Sequence, residues 1–116
     1  MFNLDYQSRL PIYEQIVEQF ERYIAYGVYR PKEQVPSIRE LAASLGINPN
    51  TVKKAYEELE KRGAIVTIST KGTFVTDDIK HVIDSKIQDK LEVIKENIKE
   101  LEKLGMTKEE ILKVIE

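Results

Sequence analysis

The break at Leu45-Gly46-Ile47-Asn48 constrains this chain more than any other feature. Upstream of it, Ile38, Leu41, Ala42 and Leu45 recur at spacings of three and four, the stripe of a short helix with one buried face. Ser37 and Glu40 start that helix as a capping box, in which the serine oxygen takes the N3 amide and the glutamate reaches back. Gly46 stands where a helix C-terminus favours a left-handed residue. Asn48 is a good N-cap and Pro49 a good first helical residue, so a second helix restarts at once. Its stripe is Val52, Ala55, Tyr56 and Leu59, and Gly63 ends it. Two helices joined by about three residues with glycine in the turn make a helix-turn-helix.

The flanking segments extend this unit. The first five residues, MFNLD, alternate weakly, as a short strand would. Pro11 opens a helix whose stripe is Ile12, Ile16, Phe20, Tyr23 and Ile24, and Gly27 closes it. VYRPKEQVP, with two prolines, reads as an extended connection. After Gly63, the β-branched runs AIVTIS and TFVT flank TKG, a hairpin tip. A two-stranded wing behind the second helix is expected. The fold class is therefore mainly α with a small β-wing: a winged helix-turn-helix domain over residues 1–76, followed by a C-terminal helical hairpin over 77–116.

In the tail, Asp77 to Leu104 reads as one long polar helix. Ile87, Leu91, Ile94, Ile98 and Leu101 repeat at 4-3-4-3, a heptad seam that Ile79 and Ile83 extend upstream. Gly105 ends it, and Thr107 with Glu110 forms a second capping box before ILKVIE. The seam has no other large domain to pack on, which points to a second copy of the chain. Ile83, Ile87, Leu91, Ile94, Ile98 and Leu101 are the candidate dimer interface, and intramolecular packing is the competing use of part of that stripe.

Composition excludes several function classes. The chain has 116 residues, enough for one small domain and an appendage, and no cysteine, so disulfides and thiolate metal sites are out. No apolar run approaches the ~18 residues of a membrane span, and the N-terminus lacks the basic-then-apolar order of a signal peptide, so a cytoplasmic protein is expected. His81 is the only histidine; beside Asp77, Asp78 and Asp84 it reads as a surface residue rather than a metal ligand. No nucleophile, base and acid converge, and no glycine-rich phosphate loop appears, so no catalytic residue, metal or cofactor is assigned. Net charge is −2, yet residues 1–76 carry ten basic against nine acidic side chains, including all five arginines, while residues 77–116 carry eight against eleven. A local basic face is compatible with that distribution.

The front of the second helix has the residue types for DNA. Its stripe uses Val52, Ala55, Tyr56 and Leu59, which leaves Asn48, Asn50, Thr51, Lys53 and Lys54 on or near the outer front. Asparagine pairs with adenine, lysine with guanine acceptors, and the threonine methyl with that of thymine. In a helix-turn-helix those N-terminal residues meet base edges in the major groove. Arg39, in the first turn of the preceding helix, is placed for a phosphate or base. Lys71 and Gly72 at the wing tip could approach a sugar-phosphate edge or the minor groove. Plainer roles compete at each position: a cap for Asn48, a Glu57 partner for Lys53, a solvated face for Arg39 and Lys54, a bare turn for Lys71-Gly72, and core for Tyr56, whose hydroxyl would reach a phosphate if not buried.

VPSIRELAASLGINPNTVKKAYEELEKRG followed by KGTFV resembles the DNA-binding domain of GntR-type bacterial transcription regulators, from PIYEQI at Pro11 through Val75. The NPNTV-x-KAY-x-x-LE wording and the short tail resemble the YtrA-like subfamily, in which a two-helix tail dimerises without a large effector domain. The resemblance implies a homodimeric repressor bound to double-stranded DNA at a two-fold-symmetric operator. It also implies DNA contacts from Arg39, the Asn48, Pro49, Asn50, Thr51 and Lys53 segment, and the Lys71, Gly72 and Thr73 wing, to which Ser37, Lys54 and Tyr56 are added as candidates. Departures from the pattern are Pro49 where many members are basic, Lys53 for arginine, Pro31-Lys32-Glu33 for Pro-Gly-Asp, and Thr70 where glycine is common. No effector is readable. The alternative reading is a winged-helix protein-interaction module working through its tail, which would tend to carry an aromatic, apolar face where this chain is polar and basic.

Overall fold

The computed structural model describes residues 2–116. It divides into two compact units, Met1–Ile83 and Asp84–Glu116. In the first unit, α1 (Ile12–Ala25), β1 (Gln34–Val35), α2 (Ile38–Leu45), α3 (Pro49–Lys61), β2 (Ile65–Ile68) and β3 (Gly72–Val75) follow in order. Helix α4 (Ile79–Lys103) gives its first turn to this unit; its remainder and α5 (Lys108–Ile115) form the second. The mainly helical winged fold is as expected, with one addition. The wing sheet has three strands in the order β1-β3-β2, all antiparallel. The segment between the two prolines, expected only as an extended connection, supplies the third: Gln34 pairs with Phe74 and Val35 with Thr73.

The helix-turn-helix forms for the local reasons read above. Ser37 and Glu40 make the reciprocal capping box of α2. Gly46 adopts φ 67°, and Ile47 N–H closes back on the Ala42 carbonyl at 3.1 Å. Asn48 then caps α3 by accepting from Asn50 N–H at 2.9 Å. The stripe Val52, Ala55, Tyr56 and Leu59 is wholly buried, together with Ile16, Phe20 and Ile24 of α1. Burying side chains of this size stabilises by about 1.5–3 kcal/mol each. Around Phe20 the rings of Phe2, Tyr29 and Tyr56 lie at centroid distances of 5.2–5.6 Å. A buried carboxylate, Glu21 (side chain 4% exposed), meets Arg62 at the end of α3 at 2.9 Å, and Arg62 also reaches Glu58. This pair ties α1 to the C-terminus of α3.

One expectation is corrected here. Phe2–Asp5 is not a strand, Met1 lying outside the described residues. Its backbone bonds go to two glutamine side chains of α1 instead. Gln19 accepts from Asn3 N–H and donates to its carbonyl, and Gln15 does the same for Asp5 while also donating to Leu10 O. Ile79 and Val82 of α4 pack on the first core, so the compact unit runs to Ile83.

In the second unit, Gly105 turns the chain at φ 103° and Thr107 with Glu110 caps α5. Ile111 is buried, while Ile98 and Leu101 are half-buried. Ile98, Ile111 and Leu112 line a groove between α4 and α5, flanked by Lys95, Lys99 and Lys108. Higher on the same stripe, Ile87, Leu91 and Ile94 stay 49%, 41% and 49% exposed.

Candidate nucleic-acid interface

Helix α3 presents two opposed faces. One is the buried stripe that fixes its depth and rotation. The other carries Asn48, Pro49, Asn50, Lys53 and Lys54, all exposed, with Thr51 half-buried between them. Pro49 has no N–H, Asn50 N–H is capped by Asn48 Oδ1 and Thr51 N–H closes on the Asn48 carbonyl, so the helix start offers, beside these side chains, the positive partial charges of the helix dipole rather than free amides. The first turn holds no acidic residue to neutralise them.

The candidate side chains differ in how free they are. Among the described residues, Arg39 and Lys53 carry no ion pair, and the Lys53–Glu57 partnership weighed above does not form. Both heads stand in solvent beside a helix start. Ser37 and Asn48 are exposed, but each has its side-chain oxygen engaged as a cap. Lys54 is held: its Nζ lies 4.1 Å from the centre of the Tyr13 ring on α1. A cation over an aromatic face in this geometry gains about 0.5–1 kcal/mol at an exposed site. That contact gives Lys54 a fixed direction rather than a solvated sweep, and sequence spacing within α3 could not reveal it.

Tyr56 leaves the candidate set. It is 2% exposed, and its hydroxyl donates to the Pro36 carbonyl. Burial raises the phenol's pKa far above its ordinary range, with smaller contributions from Tyr29 and Glu40, so it remains a neutral donor. It links α3 to the strand that precedes α2, a packing role.

The wing tip is Ser69-Thr70-Lys71, closed by Lys71 N–H on the Ile68 carbonyl at 3.0 Å. Lys71 is exposed. Gly72 follows at φ 124°, and a Cβ there would stand 2.5 Å from the Gln34 Nε2. Thr73 is half-buried and 3.4 Å from Thr67 Oγ1, which itself donates to Glu60 of α3 at 2.6 Å. Gln34 went unnoticed in the sequence because its strand did. The two positions where this chain departs from a common glycine, Lys32 and Thr70, both adopt the left-handed conformation, at φ 67° and 66°.

The comparisons with known proteins agree with this architecture. Residues 12–75 match the family model described as bacterial regulatory proteins, gntR family. The HTH-type transcriptional repressor YtrA of Bacillus subtilis is 41% identical over 87% of this chain and 75% of its own length. A transcriptional regulator from Oenococcus oeni has a crystal structure that superposes with a TM-score of 0.88 at 37% identity, covering 99% of this chain and 96% of that one. The AraR DNA-binding domain, crystallised in complex with an operator, superposes with a TM-score of 0.56 at 30% identity over 64% of this chain and 89% of its own. From the capped helix pair to the three-stranded wing, this chain belongs to the GntR family of DNA-binding transcription regulators, among its YtrA-like members.

Proposed function

We propose that the chain is a homodimeric repressor that binds a two-fold-symmetric operator, with the front of α3 in the major groove and the wing beside it. The observation that carries this reading is the two-faced α3. Its inner stripe is buried to the last side chain, while its outer front is polar, cationic and free of acidic residues in its first turn. Lys53 and Asn50 would meet base edges, with Thr51 beside them. Arg39 and Lys71 would meet phosphates and fix the register. The exposed stripe Ile87, Leu91 and Ile94 of α4 supports pairing of two chains, which would set two α3 helices about 34–36 Å apart, one helical turn. The repressor sense follows the similarity to YtrA and would act by occluding polymerase.

Selection from a random-sequence duplex pool with the full chain tests this. The expected outcome is enrichment of a two-fold-symmetric site whose binding survives near-physiological salt. Lys53→Ala is then expected to weaken binding by about 1–3 kcal/mol and to relax preference at one position of each half-site. No enrichment over the starting pool would overturn the reading.

A further inference from the structure

The wing tip is held by a side chain from outside the hairpin. Gln34 sits on β1, opposite Phe74, at the far side of β3 from β2. Its Nε2 donates to the Lys71 carbonyl at 3.2 Å. To reach it the amide crosses Gly72, where a Cβ would meet the Gln34 Nε2 at 2.5 Å and its Cδ at 3.4 Å. Two independent features thus meet at one point: a hydrogen bond onto the tip, and a glycine whose missing side chain leaves the passage open. On the other side Lys71 N–H is bound to the Ile68 carbonyl at 3.0 Å. Both backbone polar groups of Lys71 are therefore fixed, one by its own hairpin and one by β1.

We infer that Gln34 is a positioning residue for DNA binding, acting through Lys71. A two-residue strand adds little to the sheet by its own pairing. Its consequence is the side chain it delivers. A free hairpin tip samples many directions, and a lysine on it pays rotamer and backbone entropy on contacting a phosphate. With the Lys71 backbone clamped, the ammonium leaves the wing from a fixed base. Gln34, paired with Phe74 on the sheet, makes no DNA contact in this account. The inference rests on the proposed wing contact of Lys71.

The test uses the full-length chain and the tightest duplex from the random-pool selection, with Kd measured across a salt series for the wild type, Lys71→Ala, Gln34→Met and the double variant. Methionine keeps the length of glutamine without its donor, and Gln34→Asn keeps the amide but falls one methylene short of the Lys71 carbonyl. Loss of one phosphate contact in Lys71→Ala lowers the salt slope by about one. Gln34→Met and Gln34→Asn are each expected to raise Kd about threefold in the wild-type background and less than about 1.5-fold in the Lys71→Ala background, with melting temperatures unchanged. Equal effects in both backgrounds would overturn the positioning role, since Gln34 would then act independently of Lys71. An unchanged Kd in both Gln34 variants beside a weakened Lys71→Ala would overturn it while leaving the wing contact standing. An unchanged Lys71→Ala would sink the wing contact and the inference together, and enrichment of a symmetric site would still separate that result from failure of the functional reading as a whole.

Discussion

Leu59 and Leu91 occupy the same kind of place, the apolar stripe of a helix, with opposite results. Leu59 on α3 is fully buried in the core that α3 shares with α1, α2 and the sheet. Leu91 on α4 keeps 41% of its surface in solvent, between Ile87 and Ile94, which are as exposed. Among the described residues, a core cluster of sixteen buried side chains, with Ile12, Tyr23, Ile38 and Leu45 packed against it, accounts for the stripes of α1, α2 and α3 within one chain. The second unit buries one residue fully, Ile111, and leaves its most regular stripe uncovered. One unit buries its stripes within a single chain; the other leaves its stripe exposed. Both helices carry an apolar stripe at spacings of three and four, and what differs is what each stripe meets.

The widest expected gap separates truncations of those two leucines. Leu59→Ala opens a cavity in a closed core and should cost about 3 kcal/mol, read by denaturant unfolding at any protein concentration. Leu91→Ala in a dilute, monomeric sample should cost under about 1 kcal/mol, because little is buried to lose. Its cost should rise with protein concentration, as linkage to dimerisation requires. Equal costs at both sites and no concentration dependence would mean that the α4 stripe is covered within one chain.

Ile94→Lys sharpens the same contrast at the seam. A charge at the centre of an apolar stripe should leave the winged unit folded and make the chain monomeric by light scattering. Binding to a two-fold-symmetric site should fall more than tenfold, because two half-sites would then be bound separately. A variant still dimeric at micromolar concentration would remove α4 from the interface.

The winged unit was the more legible of the two because its signals are local. Each cap of α2 and α3 lies within about one helical turn of what it satisfies, so Ser37, Gly46 and Asn48 could be placed from their neighbours alone. What stayed hidden depends on distant partners. Gln34-Val35 is a strand only because Thr73 and Phe74 lie beside it, some forty residues on. The Phe2–Asp5 segment alternates like a strand but finds its partners in Gln15 and Gln19, one turn apart on α1. The Tyr13 ring under Lys54 and the Glu21–Arg62 pair are likewise tertiary. In the front of α3 the residue types were readable, while the removal of Tyr56 needed its depth. Of the tail, helix limits and caps were legible; the share of its stripe used inside the chain was not.

Strain offers a smaller effect, confined to the winged unit. Thr70 adopts φ 66°, a conformation costly for a β-branched residue. Thr70→Gly removes that cost and adds unfolded-state entropy, for a net gain of about 0.5–1 kcal/mol. The gain should appear as a higher melting temperature, with DNA affinity unchanged or lower, since glycine loosens the tip that carries Lys71. A lower melting temperature would show that the turn is held by threonine rather than against it.

The smallest effect belongs to the tail and runs with pH. Glu110 closes the α5 capping box, and hydrogen bonds from the Thr107 backbone N–H and side chain hold its carboxyl below the ordinary carboxylate range. A depressed folded-state pKa means that this contribution is fully present above the unfolded value and is lost as pH falls through the folded one. The start of α5 should therefore loosen only under acid conditions, seen as falling protection factors at Thr107 and Glu110, each referred to the intrinsic exchange rate at that pH. Glu110→Gln keeps a side chain that can accept the same bonds but does not titrate there, so its α5 should show no such step. If wild type and Glu110→Gln lose protection together on acidification, the loss comes from elsewhere in the tail, and the exposed stripe of α4, where least is buried, is the first place to look.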